Sequence, residues 1–230
     1  MNILALDTAL GACSVAVMAG GEILNFQYEE RTRGHAERLA PMVAEIFLAS
    51  GLTPRDINRI GVTTGPGTFT GQRVGLAFAR AFAVAIDVPV IGVTTLQALA
   101  AHAREQMSAQ NAYDAIIAAV DARRNEIYIQ PFDMVLNPLH PPQVLGLEAA
   151  AEMMGKGNFL IGGSGAQALA GHLQSCETAL MSELQPDARQ IAYLVSEMPV
   201  PDHAPHAFYL RAPDARLPGQ GKPGQGKVEP

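Results

Sequence analysis

Between residues 65 and 75 the chain reads Gly65-Pro66-Gly67-Thr68-Phe69-Thr70-Gly71-Gln72-Arg73-Val74-Gly75, and so dense a mixture of glycine and proline admits few backbone paths. The stretch opens directly into Leu76 to Ile86, rich in good helix formers, and it follows Arg59 to Thr64, which reads as a short strand. Strand, glycine-rich turn and helix together form the unit on which α/β proteins commonly place function. Before Asp87 this helix carries only Gln72, Arg73 and Arg80 as strongly polar side chains, so an apolar surface wraps nearly all round it. One sheet cannot cover such a helix. A second helical surface is expected against it, and with it a second protein.

The remaining elements fall into two similar runs. Asn2 to Asp7, Cys13 to Met18 and Glu22 to Tyr28 predict a three-strand meander, turned at Gly11 and at Gly20-Gly21. A helix over 35–50 puts Leu39, Met42, Val43, Ile46 and Phe47 on one face and Ala36, Ala40, Ala44 and Leu48 on the other, so both sides want cover, as does the i, i+4 strip Ala77, Ala81 and Ala85 of the later helix; Pro41 lies inside the first helix and Gly51 ends it. Thr53-Pro54 starts a short helical turn, Val88 to Val93 is a short strand, and Thr94-Thr95 begins another helix. Ile116 to Asp121 followed by Ile127 to Ile129 repeats the opening, with Asp121 standing to its strand as Asp7 does to its own. A third strand within 135–145, a helix near 147–153, a strand at 158–161, a helix over 167–173 and another over 187–196 complete the second run. Two related lobes are expected, 1–106 and a smaller 107–212, with a Gly/Pro-rich tail at 213–230 that should be disordered and dispensable.

Composition narrows the function. The net charge of −6, without a Lys/Arg run, excludes a chain that grips nucleic acid by itself; Arg123 and Arg124 are the only adjacent arginines, and a solvated turn is the favoured reading of them. Cys13 and Cys176 match no metal spacing, the N-terminus lacks a signal-peptide pattern, and Arg73 and Arg80 argue against a membrane span. The expectation is a cytoplasmic protein that binds no membrane.

No catalytic constellation is complete. Gly71-Gln72-Arg73-Val74 lacks the Lys and Ser/Thr of a Walker-type phosphate loop, and no two histidines stand at i, i+4 as a His-x-x-x-His zinc site requires. Gly163-Ser164-Gly165 lacks the spacing of a nucleophile elbow. Asp7 and Asp121 end the two first strands, where a two-lobed phosphotransferase would hold its metal and its base. With Thr8, Gly163 and Gly165 they outline a vestigial nucleotide site. The competing reading, that the aspartates cap turns and the glycines end a strand, is favoured because no second acidic group is placed to hold Mg²⁺.

Four segments together, Ile3 to Thr8, His35 to Pro41, the glycine-rich loop 65–75 and Asp121 to Tyr128, resemble the TsaB (YeaZ) family, over roughly residues 1–212. The resemblance implies an α/β fold of the actin/Hsp70/sugar-kinase (ASKHA) type, duplicated, with a reduced second lobe. It also implies the role of a non-catalytic subunit in making N6-threonylcarbamoyladenosine (t6A) on tRNAs that read codons beginning with A. The implied partners are TsaD, the threonylcarbamoyl-transferring subunit, and the ATPase TsaE. No cofactor or metal is expected to be tightly bound, ATP being used mainly by the partners, and tRNA would be met only through the complex. An independent ATP-using enzyme of the same fold is the alternative. Thr68, Gln72 and Ala9 depart from the family pattern, which usually has serine, an aliphatic residue and serine there. The expected docking residues are His35, Leu39, Met42, Val43, Ile46, Gly67, Phe69, Thr70, Arg73, Val74, Ala77 and Arg80, serving a heterodimer with TsaD and a weaker homodimer.

Overall fold

A computed structural model describes residues 1–107, 112–174 and 178–211; Cys176 and the 213–230 tail lie outside the described residues. Strands β1 (Asn2–Asp7), β2 (Ala12–Ala19) and β3 (Glu22–Glu30) form the expected meander, with Leu4 opposite Val17 and Asp7 opposite Ser14. Strands β4 (Arg59–Thr63) and β5 (Val90–Val93) extend it in parallel, giving the order β3-β2-β1-β4-β5.

Strand alternation divides the central residues between two faces. Leu4, Leu6, Val15 and Val17 meet helices α1 (His35–Ser50) and α2 (Phe69–Ile86), which lie side by side through a Phe47–Phe82 stack at 6.0 Å. The helix after the glycine-rich loop thus has the second helical surface that its composition demands. α1 runs through Pro41 and ends at Gly51 in the left-handed conformation, and a capping box joins Thr53 to Asp56 just beyond it. Arg38 fixes α1 to the meander by bonding Glu29 at 2.7 Å and Gln27 at 3.1 Å, and the same guanidinium holds Glu45 two turns further along the same face of α1.

The second lobe repeats this plan. Strands β6 (Ala115–Asp121), β7 (Glu126–Phe132), β8 (Gln143–Gly146), β9 (Phe159–Gly162) and β10 (Thr178–Met181) are ordered β10-β9-β6-β7-β8, so each stands where its counterpart five strands earlier does. The helices here are short. α4 (Leu147–Met154) and α5 (Ala166–Ala170) have 8 and 5 residues against 16 and 18 for α1 and α2, which is the physical content of a reduced lobe. α5 ends at Gly171, earlier than the sequence pattern suggests, and β10 is a strand the pattern did not reveal.

The remaining helices are exchanged between the lobes. α3 (Thr95–Glu105), opened by a capping box from Thr94 to Gln97, buries Leu96, Leu99, Ala100 and Ala103 against Ile116, Ala118, Val120 and Leu160 of the second sheet. In return α6 (Ala188–Glu197) lays Ala188, Ile191, Ala192 and Val195 on Ile3, Ala5, Ala16 and Met18 of the first. Packing therefore crosses the 106/107 boundary drawn from sequence, and neither sheet is fully covered by its own segment of chain. Among the described residues no helix is long and apolar enough to cross a membrane.

Candidate functional site

The glycine-rich loop is a closed structure. Thr68 caps α2 by accepting from Gly71 N at 3.1 Å, and its own N–H donates to Ala9 O at 2.8 Å. Thr8 Oγ1 returns the contact by donating to Gly71 O at 2.7 Å. A Cβ built on Gly71 would lie 2.1 Å from Thr8 O, and one on Gly67 would lie 2.4 Å from Ala9 O, so these glycines exist to let the loop lie directly on the β1–β2 turn. As a result Asp7, Thr8 and Ala9 have no exposed surface.

Asp7 and Thr8, two of the residues that outline the vestigial nucleotide site, therefore lie beneath the backbone of the loop. Asp7 accepts from Thr63 Oγ1 at 2.5 Å and from Ala9 N at 3.1 Å through one oxygen, leaving Oδ2 buried without a partner. In the second lobe Asp121 is exposed, caps its own turn by accepting from Arg123 N at 2.8 Å, and donates its N–H to Ser164 Oγ. Gly165 N donates to Ala119 O at 2.9 Å, and a Cβ on Gly163 would lie 2.5 Å from that same oxygen. Both glycines thus lie close against the β6 backbone. Gln72 also turns inward: it is buried, its Oε1 has no partner, and it lies against Gly65. Among the described residues no three His, Cys, Asp or Glu side chains gather as metal ligands would.

Burial without a full set of partners pushes the Asp7 carboxyl up to about 7, with desolvation as the dominant cause and the Asp187 carboxylate adding to it. The folded protein therefore holds a proton that the unfolded chain releases. Stability should fall as pH rises from about 4 to about 7 and level off above that, by up to about 4 kcal/mol for a shift of this size. In Asp7→Asn this slope should be missing, and urea denaturation of both proteins across pH 4–8 measures it. Parallel slopes in the two proteins would refute the assignment.

The outer face of α1 and α2 offers something different. Ala36, Ala40 and Ala44 are exposed on α1, with Leu48 87% exposed at its end. Ala77, Ala81 and Ala85 form an exposed i, i+4 strip on α2, with Val84 85% exposed beside it. Of the residues expected at a docking surface, Phe69, Thr70, Arg73 and Ala77 are exposed, and Gly67, Val74 and Arg80 are half-buried. His35, Leu39, Met42, Val43 and Ile46 require correction: they are buried on the sheet side of α1, where the meander needs their bulk, and no partner can touch them in this conformation. Of the two apolar sides that the sequence gives α1, the sheet takes the large one and leaves Ala36, Ala40, Ala44 and Leu48 exposed. The sequence pattern missed Tyr209, which stacks on Phe69 at 6.2 Å and accepts from Arg73 Nε at 3.1 Å. A separation of 136 residues between Arg73 and Tyr209 leaves no local signal of this contact.

Residues 27–157 match the family model described as "TsaD: tRNA N6-adenosine threonylcarbamoyltransferase". The chain is 41% identical over 128 residues to the tRNA threonylcarbamoyladenosine biosynthesis protein TsaB of Escherichia coli K12, covering 56% of this chain and 53% of that protein. The TsaB of Haemophilus influenzae matches equally, at 41% over 128 residues, covering 56% of this chain and 52% of that protein. The matched segment thus spans about half the length of these curated relatives. Among solved structures, YeaZ from Pseudomonas aeruginosa superposes with a TM-score of 0.76 at 30% identity, covering 85% of this chain and 90% of that one.

Proposed function

The chain belongs to the TsaB (YeaZ) family, and from that premise we propose that it is a non-catalytic subunit of the assembly that makes t6A on tRNA, docking TsaD through the outer face of α1 and α2. The observation that carries this reading is the exposed strip of small residues on two adjacent helices, a smooth surface on which other helices can lie closely. The family model named for TsaD covers both helices, so a TsaD chain would bring a like pair, and together the four make a bundle-like contact. Two copies of this chain would pair the same way with poorer complementarity, as a weaker homodimer. TsaE joins the heterodimer, and tRNA is held mainly by the partners.

The sealed Asp7 supports the non-catalytic part of the reading, since a phosphotransfer site needs that carboxylate in contact with its substrate. Steady-state ATP turnover by the purified chain separates this from an independent ATPase of the same fold. Turnover should stay at background for the parent chain and for Asp7→Ala alike. Robust turnover that disappears in Asp7→Ala would establish the enzyme instead.

A further inference from the structure

Beyond α6 the chain from 199 to 211 forms neither helix nor strand, yet it is held at both ends. Phe208 N donates to Thr64 O at 2.8 Å at the end of β4, and Ala207 packs into the core beneath α1 and α2. Leu210 packs with the second-lobe core, while Arg211 donates to Ala122 O at 2.8 Å and pairs with Glu126. The segment is a strap from one lobe to the other.

Its outward side borders the exposed strip of α2. The Arg73 guanidinium lies 3.7 Å over the centre of the Phe69 ring, and Tyr209 stacks on that ring while bonding Arg73. Phe69 is 52% and Tyr209 41% exposed, so two aromatic rings and an arginine are held in fixed positions without being buried. Further along α2, Arg80 meets His206 of the strap at 3.2 Å. Among the described residues neither Arg73 nor Arg80 is paired with a carboxylate, although the chain as a whole carries a charge of −6. Arg73 and Ala77 stand one helical turn apart, which makes the cluster continuous with the small-residue face.

We propose that the strap is part of the docking surface, and that the Phe69–Arg73–Tyr209 cluster is its anchor for a carboxylate-bearing segment of the protein partner. The inference rests on the reading that TsaD docks on α1 and α2, and it adds a second, polar contact contributed by the far C-terminal segment. Aromatic and arginine side chains dominate interface energetics, and these three are already ordered, so little rotamer entropy is lost when a partner covers them. Two guanidiniums that have no carboxylate partner among the described residues, on an acidic protein, select for acidic groups opposite them.

The test measures the affinity of the full chain for TsaD with Tyr209→Ala, Arg73→Gln and Ala77→Glu, at two salt concentrations, with circular dichroism confirming the fold. Tyr209→Ala should weaken binding about tenfold or more, the scale of an anchor residue. Arg73→Gln should weaken it and flatten its salt dependence. Tyr209→Phe, which keeps the ring, should retain most of the affinity. If Ala77→Glu disrupts the complex while Tyr209→Ala and Arg73→Gln bind as the parent does, the strap inference is overturned and the docking face stands. If all three bind as the parent does, the docking reading itself fails. Loss confined to homodimer sedimentation, or to tRNA binding by the chain alone, would likewise overturn the inference and reassign the cluster to a second copy or to RNA.

Discussion

Gly71→Ala should unfold at a temperature about 10 °C below the parent protein. The added methyl would stand 2.1 Å from Thr8 O and 2.6 Å from Thr68 Oγ1, and neither contact can relax cheaply. Thr8 belongs to the turn that ends β1, and Thr68 is the N-cap of α2. Moving either breaks the bonds between Thr8 Oγ1 and Gly71 O, or between Thr68 N and Ala9 O. Overpacking of this kind costs about 3 kcal/mol, and each kcal/mol lowers Tm by about 2–4 °C in a protein of this size. Gly171→Ala is the control, because its Cβ would meet nothing closer than 3.6 Å at an ordinary φ of −64°. Calorimetry of the two variants decides: equal melting temperatures would mean that the loop does not lie on the β1–β2 turn as described.

Ala77→Glu should leave the isolated chain folded and abolish its association with TsaD. Residue 77 is exposed on α2, where glutamate is a good helix former, so the monomer loses nothing. In the complex the same carboxylate would be buried at the centre of a small-residue contact without a partner. That costs about 3–5 kcal/mol, more than a hundredfold in Kd. Ala77→Ser, which stays small and can satisfy its hydroxyl within the helix, should bind nearly as well as the parent. Sedimentation velocity with and without TsaD measures both, and normal pairing by a folded Ala77→Glu protein would place the docking surface elsewhere.

Local sequence carried the first lobe well because each of its elements has its own punctuation. α1 is bounded by Gly34 and Gly51, the 3-10 turn by Thr53-Pro54, and α2 by a threonine cap, so their limits are set within a few residues of chain. The duplication was legible too, since strand, aspartate and turn recur at Asp121. What local pattern cannot carry is the choice of partner. Leu96, Leu99 and Ala103 announce an apolar helix face, but nothing near them in sequence tells that the face serves the second sheet. β10 escaped notice because Thr178 to Met181 is only four residues long and half-buried at a sheet edge, so it shows no clean alternation. On α1 the sequence shows two apolar sides, Leu39, Met42, Val43, Ile46 and Phe47 on one and Ala36, Ala40 and Ala44 on the other, and does not tell which of them the sheet takes, because an alanine reads the same in a core as on an exposed face.

The central claim, that this chain works only as the docking partner of TsaD, is tested most directly by reconstitution. t6A formation on tRNA is measured with TsaD, TsaE and the threonylcarbamoyl donor, with this chain present, omitted or replaced by Ala77→Glu. Modified tRNA should form only with the parent chain present, and the chain with TsaD left out should give none. Product formed by this chain without TsaD, or undiminished product when the chain is omitted, would contradict the account.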